Sequence, residues 1–295
     1  MIIYEKDKEN VHTLSIYKYK IVDNVKDYSY VDYDKWLINT TDNHNKDENI
    51  NHYLIIDTLH NDAFGHWVYE SAIYLLLFIE LRRLYPQIKL HLQCHKEYKR
   101  LFYEHFGIDK TEVTLELNPN NRCIFPLPIT AHNKNTICQD YITQVDTFCR
   151  HIQSSVSKNA NKNISILLMP RQTKENYIGN DIAYNIEDIY IILDKVSNTV
   201  VLNTDNIETL QSQIELVSSS KNIILHGGSA YFFNGMISSN ANLVVLDAAR
   251  HIDHVKQYIK LKYIDYIVQM RNTINNISNP DIVFRYDDIK EYLEL

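Results

Sequence analysis

Residues 222–235, NIILHGGSAYFFNG, hold three of the six glycines in the chain, and Gly227 and Gly228 directly follow a short apolar run that ends in His226. We expect this pair at the carboxyl end of a strand, where glycine lets the backbone turn sharply and lets a ligand approach. A helix that begins near Ser229 would present free N–H groups and its positive dipole end, which suit a phosphate. His226 beside it can donate a hydrogen bond to a phosphate oxygen. The alternative is a turn that needs glycine only for its geometry.

A second candidate anion contact follows the strand predicted at residues 164–170. Arg171 and Lys174 fall in the loop after that strand. An Arg fork in this position can pair with a diphosphate through two parallel hydrogen bonds. The alternative is two solvated surface charges, the usual state of Arg and Lys. Glu187 opens the next predicted helix, where an acidic first turn is favourable by itself.

His66, Asp62 and Glu70 are the candidate catalytic residues. The segment LHNDAFGHWVYES (59–71) follows a predicted strand and opens a helix, so His66 and Glu70, four residues apart, share one helix face. A histidine at the mouth of a cleft can take a proton from a hydroxyl while a carboxylate orients its ring. Asp62 either caps the helix or is itself the base. A polar first turn without chemistry is the alternative interpretation.

Metal binding has weaker signals. Asp32 and Asp34 form a D-x-D pair, the pattern by which many sugar-nucleotide enzymes hold Mn²⁺ or Mg²⁺. A chance match is common in an acidic chain. HLQCH (91–95) and HIDH (251–254) offer metal-capable side chains, but no second pair follows at the spacing of a structural zinc site. We therefore predict no metal site.

The elements that must position these residues alternate between strand and helix from residue 52 onward, which predicts parallel sheets with right-handed crossovers. A polar stretch at 157–163 predicts a linker between a first domain, 1–156, and a second, 164–295. We predict an α/β fold with two Rossmann-like domains facing a cleft, and ligands beyond the carboxyl ends of the strands. The first 45 residues have no clear pattern, and the last 45 are predicted to form the C-terminal helices of the second domain. The predicted strands are 52–57, 88–93, 111–117, 122–129, 164–170, 199–204, 222–226 and 242–247, and the predicted helices are 66–85, 97–106, 140–156, 186–196, 207–220 and 229–238.

Composition and charge exclude several classes of protein. The net charge is −7 and the basic residues are scattered, which argues against a nucleic-acid-binding protein. The longest apolar run, AIYLLLFI (72–79), is too short to span a bilayer. Four cysteines without a C-x-x-C pair, and a start without a signal-peptide pattern, predict a reduced, cytoplasmic setting.

Four sequence blocks occur in order over about residues 55–250. They are a Phe-x-His-Trp block that opens a helix, an Arg after a strand with an Asn-x-acidic-acidic helix start, a Gln-Ile-x-Leu helix, and a strand that ends in His-Gly near an Asn. With these blocks the chain resembles the family-61 glycosyltransferases, which include plant xylan-modifying and animal O-linked N-acetylglucosamine transferases. It departs from the family pattern by an inserted Gly228 and by Lys174 where a second Arg is usual. The matching residues are Phe64, His66, Trp67, Arg171, Asn185, Glu187, Asp188, Gln213, Ile214, Leu216, His226, Gly227 and Asn234.

The resemblance implies a GT-B-like architecture and an inverting transfer from a nucleotide-diphosphate sugar to a glycan or protein hydroxyl, with no cofactor and no essential metal. The second domain would hold the diphosphate, whose charge positive groups stabilise in place of a metal. The first domain would present the acceptor to His66, with Asp62 and Glu70 as rival bases or orienting groups. The expected donor-binding residues are Arg171, Lys174, Glu187, His226, Gly227, Gly228 and Ser229.

Two other functions stay open at the level of sequence. One is a catalytically inactive protein of the same fold that binds a nucleotide or glycan without turnover. The other is a metal-dependent transferase that uses Asp32 and Asp34, which EDTA would inhibit. The oligomeric state is open as well.

Overall fold

The structure is a computed structural model of the 295-residue chain. The chain divides into two units, Met1–Phe148 (unit 1) and Cys149–Leu295 (unit 2), and the boundary falls inside the helix Gln139–Ser154. Most of the predicted linker, 157–162, lies outside the described residues, so the predicted domain bounds stay a prediction. The structure describes residues 2–4, 11–32, 35–41, 50–57, 62, 64–127, 139–155, 163–169, 183–184, 196–202, 209–226, 233, 241–248, 269–270 and 281–282.

The first 45 residues of unit 1, where the sequence shows no clear pattern, contain five described strands. In this segment tyrosine joins aliphatic side chains in the core: Tyr17 and Tyr19 are buried on either side of the exposed Lys18, and Val22 and Ile38 are buried as well. The described strands are β1 (Ile2–Tyr4), β2 (His12–Leu14), β3 (Tyr17–Asp23), β4 (Val25–Asp32), β5 (Lys35–Thr40), β6 (Asn51–Ile55), β7 (Lys89–His91), β8 (Val113–Thr114) and β9 (Asn121–Pro126).

The helical segment 64–84 is irregular where the sequence predicts one continuous helix. It begins as α1 (Phe64–His66), widens to a π-helical turn (Trp67–Ser71), tightens to a 3₁₀ turn (Ala72–Tyr74) and continues as α2 (Leu75–Leu84). The other described helices are α3 (Glu97–His105), a 3₁₀ turn (Lys110–Glu112) and α4 (Gln139–Ser154).

The largest described sheet of unit 1 has six strands in the order β2-β3-β9-β6-β7-β8 and is mostly parallel. β9, β6, β7 and β8 run parallel, and β3 and β2 add an antiparallel edge. Tyr53 and Ile55 of β6 pack against Trp36 of the antiparallel sheet β1-β5-β4, while Leu54 points to the other face and is also buried. This sheet is therefore covered on both faces, and the carboxyl ends of β6 and β7 form the edge at which such sheets bind ligands.

Unit 2 contains a parallel sheet whose described strands have the order β12-β10-β13-β14-β15. Its centre is apolar, with Ile166, Leu167, Ile223 and Ile224 fully buried. The Thr209 hydroxyl caps the described helix by accepting a hydrogen bond from the Ser212 N–H at 3.1 Å. The elements are β10 (Ile164–Met169), β11 (Ala183–Tyr184), β12 (Thr199–Val201), α5 (Leu210–Ser218), β13 (Ser220–His226), β14 (Asn242–Ala248), β15 (Gln269–Met270) and β16 (Asp281–Ile282).

The predicted α/β class is confirmed at the level of a mixed fold with a mostly parallel six-stranded sheet. The predicted strands at 52–57, 88–93, 164–170, 199–204, 222–226 and 242–247 all have counterparts, although β7 and β12 are shorter than predicted. The predicted helices 186–196 and 229–238 fall almost entirely outside the described residues. Of the last 45 residues, predicted as helices, the structure describes only β15 and β16, which are strands. Two Rossmann-like domains that face a cleft remain a prediction.

Candidate functional site

His66 and Glu70 form a hydrogen-bonded pair on the segment 64–84. The His66 Nδ1 atom lies 2.8 Å from the Glu70 Oε1 atom. The His66 side chain is 38% exposed and the Glu70 side chain only 12%. The imidazole therefore has one nitrogen bound to a largely buried carboxylate, while part of the ring remains open to solvent. This is the arrangement in which a carboxylate orients a histidine that exchanges protons with a ligand.

The backbone that carries this pair has a local irregularity. The Ala72 N–H bonds to the Trp67 carbonyl, five residues earlier, and Ser71 has φ −121° and ψ −53°, outside the α-helical region. Short π-helical turns are rare and occur frequently at functional sites. The wide turn spans the residues between His66 and the start of the 3₁₀ turn, so Glu70 lies within it.

Two aromatic residues anchor the start of the segment on α3. The centre of the Phe64 ring lies 5.3 Å from that of Tyr98 and 6.2 Å from that of Phe102. The centre of the Trp67 ring lies 5.9 Å and 5.1 Å from the same two ring centres. Edge-to-face and tilted pairs at these distances are favourable beyond the area that they bury. Phe64 and Trp67, three residues apart, therefore face α3, and His66 between them is left half-exposed.

A buried ion pair lies at the same edge of the sheet and was missed in the sequence analysis. Asp57 follows β6 by two residues, and its carboxylate oxygens lie 3.0 and 3.1 Å from the Lys99 Nζ atom on α3. Both side chains have zero exposure. A signal for the pair exists in the sequence, because Lys99 stands among the apolar positions of an otherwise amphipathic helix. The partner, 42 residues away, could not be named from that signal.

The Asp57 carboxylate holds more than one element. It accepts a hydrogen bond of 2.5 Å from the Gln93 N–H, just after β7. The Trp67 indole N–H contributes a weaker attraction without reaching ordinary hydrogen-bond geometry. Burial raises the pKa of the Asp57 carboxyl, and the Lys99 charge and the Gln93 amide oppose that rise without cancelling it. Lys99 also lies 3.4 Å from the Cys94 sulfur.

Asp62 is exposed and lies close enough to Tyr98 to affect its titration. Burial raises the pKa of the Tyr98 hydroxyl well above its ordinary value, and the neighbouring Cys94 and Asp62 add to the shift. Asp62 is therefore near the aromatic cluster that carries His66. All three predicted catalytic residues lie in this part of unit 1, and their catalytic roles remain a prediction.

Tyr28 and His91 extend the polar cluster beneath this edge. The Tyr28 hydroxyl lies 2.9 Å from the His91 Nδ1 atom, and His91 is 5% exposed. Burial lowers the pKa of His91 to about 4, so its ring is neutral at pH 7. Burial also raises the pKa of Tyr28, and the Asp57 charge adds to this shift. The carboxyl edge of β6 and β7 thus combines several buried polar groups in one covered sheet.

The predicted donor-binding residues are only partly described. His226 is the last residue of β13, but its side chain lies outside the described part. β10 and β13 are adjacent and parallel, with Met169 paired to Leu225, so both strands end at one edge. The remaining predicted residues all lie outside the described residues: Arg171, Lys174, Glu187, Gly227, Gly228 and Ser229.

Only the first residue of the D-x-D pair is described. Asp32 is the last residue of β4, where its backbone lies opposite Lys35 of the antiparallel strand β5. Asp34 lies outside the described residues. Within the ranges that the structure describes, no three His, Cys, Asp or Glu side chains form a group that could hold a metal ion. The expectation of a metal-independent reaction stays a prediction.

Comparisons with known proteins do not extend this picture: no protein-family model and no curated protein matches the chain. The resemblance to the family-61 glycosyltransferases therefore rests on the motif residues alone. None of the helices among the described residues is both long and apolar enough to traverse a membrane.

Proposed function

We propose that the protein is an inverting glycosyltransferase that moves a sugar from a nucleotide-diphosphate donor to a glycan or protein hydroxyl. The observation that carries the proposal is the His66–Glu70 pair, with its 2.8 Å hydrogen bond and its half-exposed imidazole, at the ligand-binding edge of a parallel sheet. The position of this pair agrees with the Phe-x-His-Trp block on which the family resemblance depends.

In the proposed reaction His66 is the general base. Its Nδ1–H donates to Glu70, which leaves Nε2 free of a proton and able to accept one from the acceptor hydroxyl; this tautomer is assigned from the hydrogen bond. The acceptor oxygen then attacks the anomeric carbon while the bond from that carbon to the diphosphate breaks, so the configuration inverts. Asp62, exposed nearby, is the rival base.

The donor is proposed to bind in unit 2 beyond the shared edge of β10 and β13. The segments that follow both strands leave from one edge of a parallel sheet, which supports a common anion site there. Positive groups and backbone N–H groups at this edge would stabilise the charge of the leaving diphosphate without a metal. The residues proposed for this role are Arg171, Lys174, His226, Gly227, Gly228 and Ser229, and Glu187 is proposed to contact the donor away from the diphosphate.

The first test is a thermal-shift screen against UDP, GDP, CMP and their common sugar conjugates, with and without EDTA. A ligand that binds only the folded state raises the melting temperature by mass action. We expect one nucleotide diphosphate to give a shift that survives EDTA and is lost in His226→Ala. If none gives a shift, the proposal fails. A shift that EDTA abolishes would favour the metal-dependent alternative.

The second test measures transfer with the donor so identified. His66→Ala is expected to lower the rate by about 10²–10⁴-fold, the usual contribution of a general base, with the donor-induced thermal shift unchanged. His12→Ala is the matched control, because His12 is an exposed histidine on the edge strand β2. Full activity in His66→Ala would exclude His66 as the base and leave its rivals Asp62 and Glu70. Donor binding without transfer in the wild type would leave an inactive nucleotide-binding protein.

A further inference from the structure

The Asp57–Lys99 pair is fully buried, with zero exposure of both side chains. Two charges removed from water lose most of their attraction to desolvation, and apolar residues of similar volume often stabilise a fold equally well. A contribution to stability is therefore a weak explanation for such a pair. The alternative is that it fixes the position of the groups that it joins.

The groups that Asp57 joins belong to the elements that carry the candidate site. Its carboxylate binds Lys99 of α3 and the Gln93 N–H after β7, and the buried Trp67 indole N–H is near enough to lower the pKa of Asp57 without forming a hydrogen bond. Lys99 lies next to Tyr98, one of the two rings on α3 that hold Phe64 and Trp67. Asp57 thereby ties the ends of two strands to the helix on which the start of the segment 64–84 is anchored.

This packing on α3 determines the position of His66. This histidine lies between Phe64 and Trp67 in sequence, both of which face α3, so a movement of α3 changes the direction of the imidazole. The His66 Nδ1 atom lies 2.8 Å from the Glu70 Oε1 atom only while the start of the segment 64–84 stays in this position.

We propose that the Asp57–Lys99 pair is a positioning element that holds His66 in register with Glu70 at the candidate site. The inference rests on the proposed function in taking His66 as the group that meets the substrate. Asp57 and Lys99 act through Trp67 and α3, and neither side chain reaches solvent.

The test replaces both charges together, as Asp57→Asn with Lys99→Met, so that no single charge is left buried. The matched control is Asn121→Ala. Asn121 is also buried, and its side chain bonds the Val25 N–H and carbonyl, both at 2.8 Å, at the amino end of β9, the opposite edge of the same sheet. The melting temperature of each variant shows whether it is folded.

The position of His66 is read directly from its rate of modification by diethyl pyrocarbonate, with the modified peptide resolved by mass spectrometry. Glu70→Gln is the positive control, because it weakens the hydrogen bond to the ring. We expect the rate at His66 in the double variant to change in the same direction as in Glu70→Gln, by up to about tenfold, the factor that one ordinary hydrogen bond is worth. Asn121→Ala is expected to react like the wild type. A double variant that is folded and reacts at the wild-type rate overturns the proposal.

Activity supplies the second readout. The double variant is expected to lose about 10²-fold in turnover, the effect of a misplaced catalytic group, with the donor-induced thermal shift unchanged. If the wild type transfers no sugar from any donor, the proposed function fails, and the His66 modification rate still decides the positioning. If the double variant turns over normally, the positioning role is wrong and the proposed function stands.

Discussion

Lys99→Met tests the buried ion pair by removing one of its charges. The Asp57 carboxylate would then keep the Gln93 N–H but lose the ammonium group that lies 3.0 and 3.1 Å from its two oxygens. Methionine has a similar length and fills the site, so the loss is mainly electrostatic. The variant therefore isolates the cost of one unpaired buried charge.

The magnitude follows from the distance. Two unit charges about 3 Å apart attract by roughly 5 kcal/mol at an effective dielectric constant of about 20. Removing one partner of a buried pair typically destabilises a protein by about 3–5 kcal/mol, because the other charge stays buried without compensation. We expect a loss in this range at pH 8, which corresponds to a fall in melting temperature of about 10 °C for a unit of this size.

The loss must depend on pH in one direction. Burial raises the pKa of Asp57 in the folded wild type, and removal of Lys99, which opposes that rise, raises it further. The folded state then binds more protons than the unfolded state above the ordinary pKa of an Asp, so the free energy of unfolding decreases as the pH rises. The slope is at most about 1.4 kcal/mol per pH unit. Lys99→Met should therefore be destabilised less at pH 5 than at pH 8.

Tryptophan fluorescence during urea unfolding is the assay, because both tryptophans, Trp36 and Trp67, are buried in unit 1. Arg100→Met is the matched control. Arg100 is adjacent on α3 and pairs with the partly exposed Glu97 and Glu104, and exposed pairs contribute only about 0–1 kcal/mol. A Lys99→Met loss as small as that of the control, or a loss equal at both pH values, would refute the electrostatic reasoning.

Three further predictions concern unit 1. Gly107→Ala should lower stability by about 1 kcal/mol in urea unfolding, because Gly107 caps α3 with φ 68° and an added Cβ meets nothing within 4 Å; no loss would contradict the left-handed cap. Burial holds the pKa of His91 at about 4, so an NMR titration should show the neutral ring until the pH nears that value. The stability that this histidine contributes above its ordinary pKa is lost as the pH falls, because the unfolded state takes up the proton first. A titration midpoint at the ordinary pKa of histidine would contradict this. Iodoacetamide at pH 8 should modify the half-buried Cys94 but not the buried Cys123 in the native protein. Burial excludes the reagent from Cys123 and raises the pKa of its thiol. Peptide mass spectrometry identifies the modified residue, and modification of Cys123 would contradict the prediction.

Local patterns predict much of the fold. The apolar run 52–57 and the helix 97–106 with its terminal glycine each have one interpretation, and the structure has β6 and α3 there. The first 45 residues escaped prediction because tyrosine alternates with lysine in β3 and stands next to Asp and Ser in β4, which lowers the apparent hydropathy. Tyr17 and Tyr19 are nonetheless buried. The burial of a tyrosine depends on the partner that covers its ring, which no local pattern specifies.

Part of the candidate site could likewise be predicted from local sequence spacing, and part of it could not. The four-residue spacing of His66 and Glu70 predicts that they share a helix face, and the 2.8 Å distance between their side chains agrees with this prediction. The Asp57–Lys99 pair depends on how β6 and α3 pack, 42 residues apart in sequence, so its distance had no local signal. The π-helical turn was missed for another reason: helical patterns give the positions of apolar residues but not the register of the backbone hydrogen bonds.

The wide turn at Trp67–Ser71 makes the length of this segment a constraint. It accommodates one residue more than a regular helical turn, so removal of one residue there would leave an ordinary α-helical turn with the flanking residues close to their present directions. Without Val68 or Tyr69, the anchor Phe64 and the buried Leu75 and Phe78 of α2 could keep their places, but His66 and Glu70 would be only three residues apart. Related sequences in which this turn is one residue shorter should consequently keep the packing of the segment and lose the present geometry of the His66–Glu70 pair.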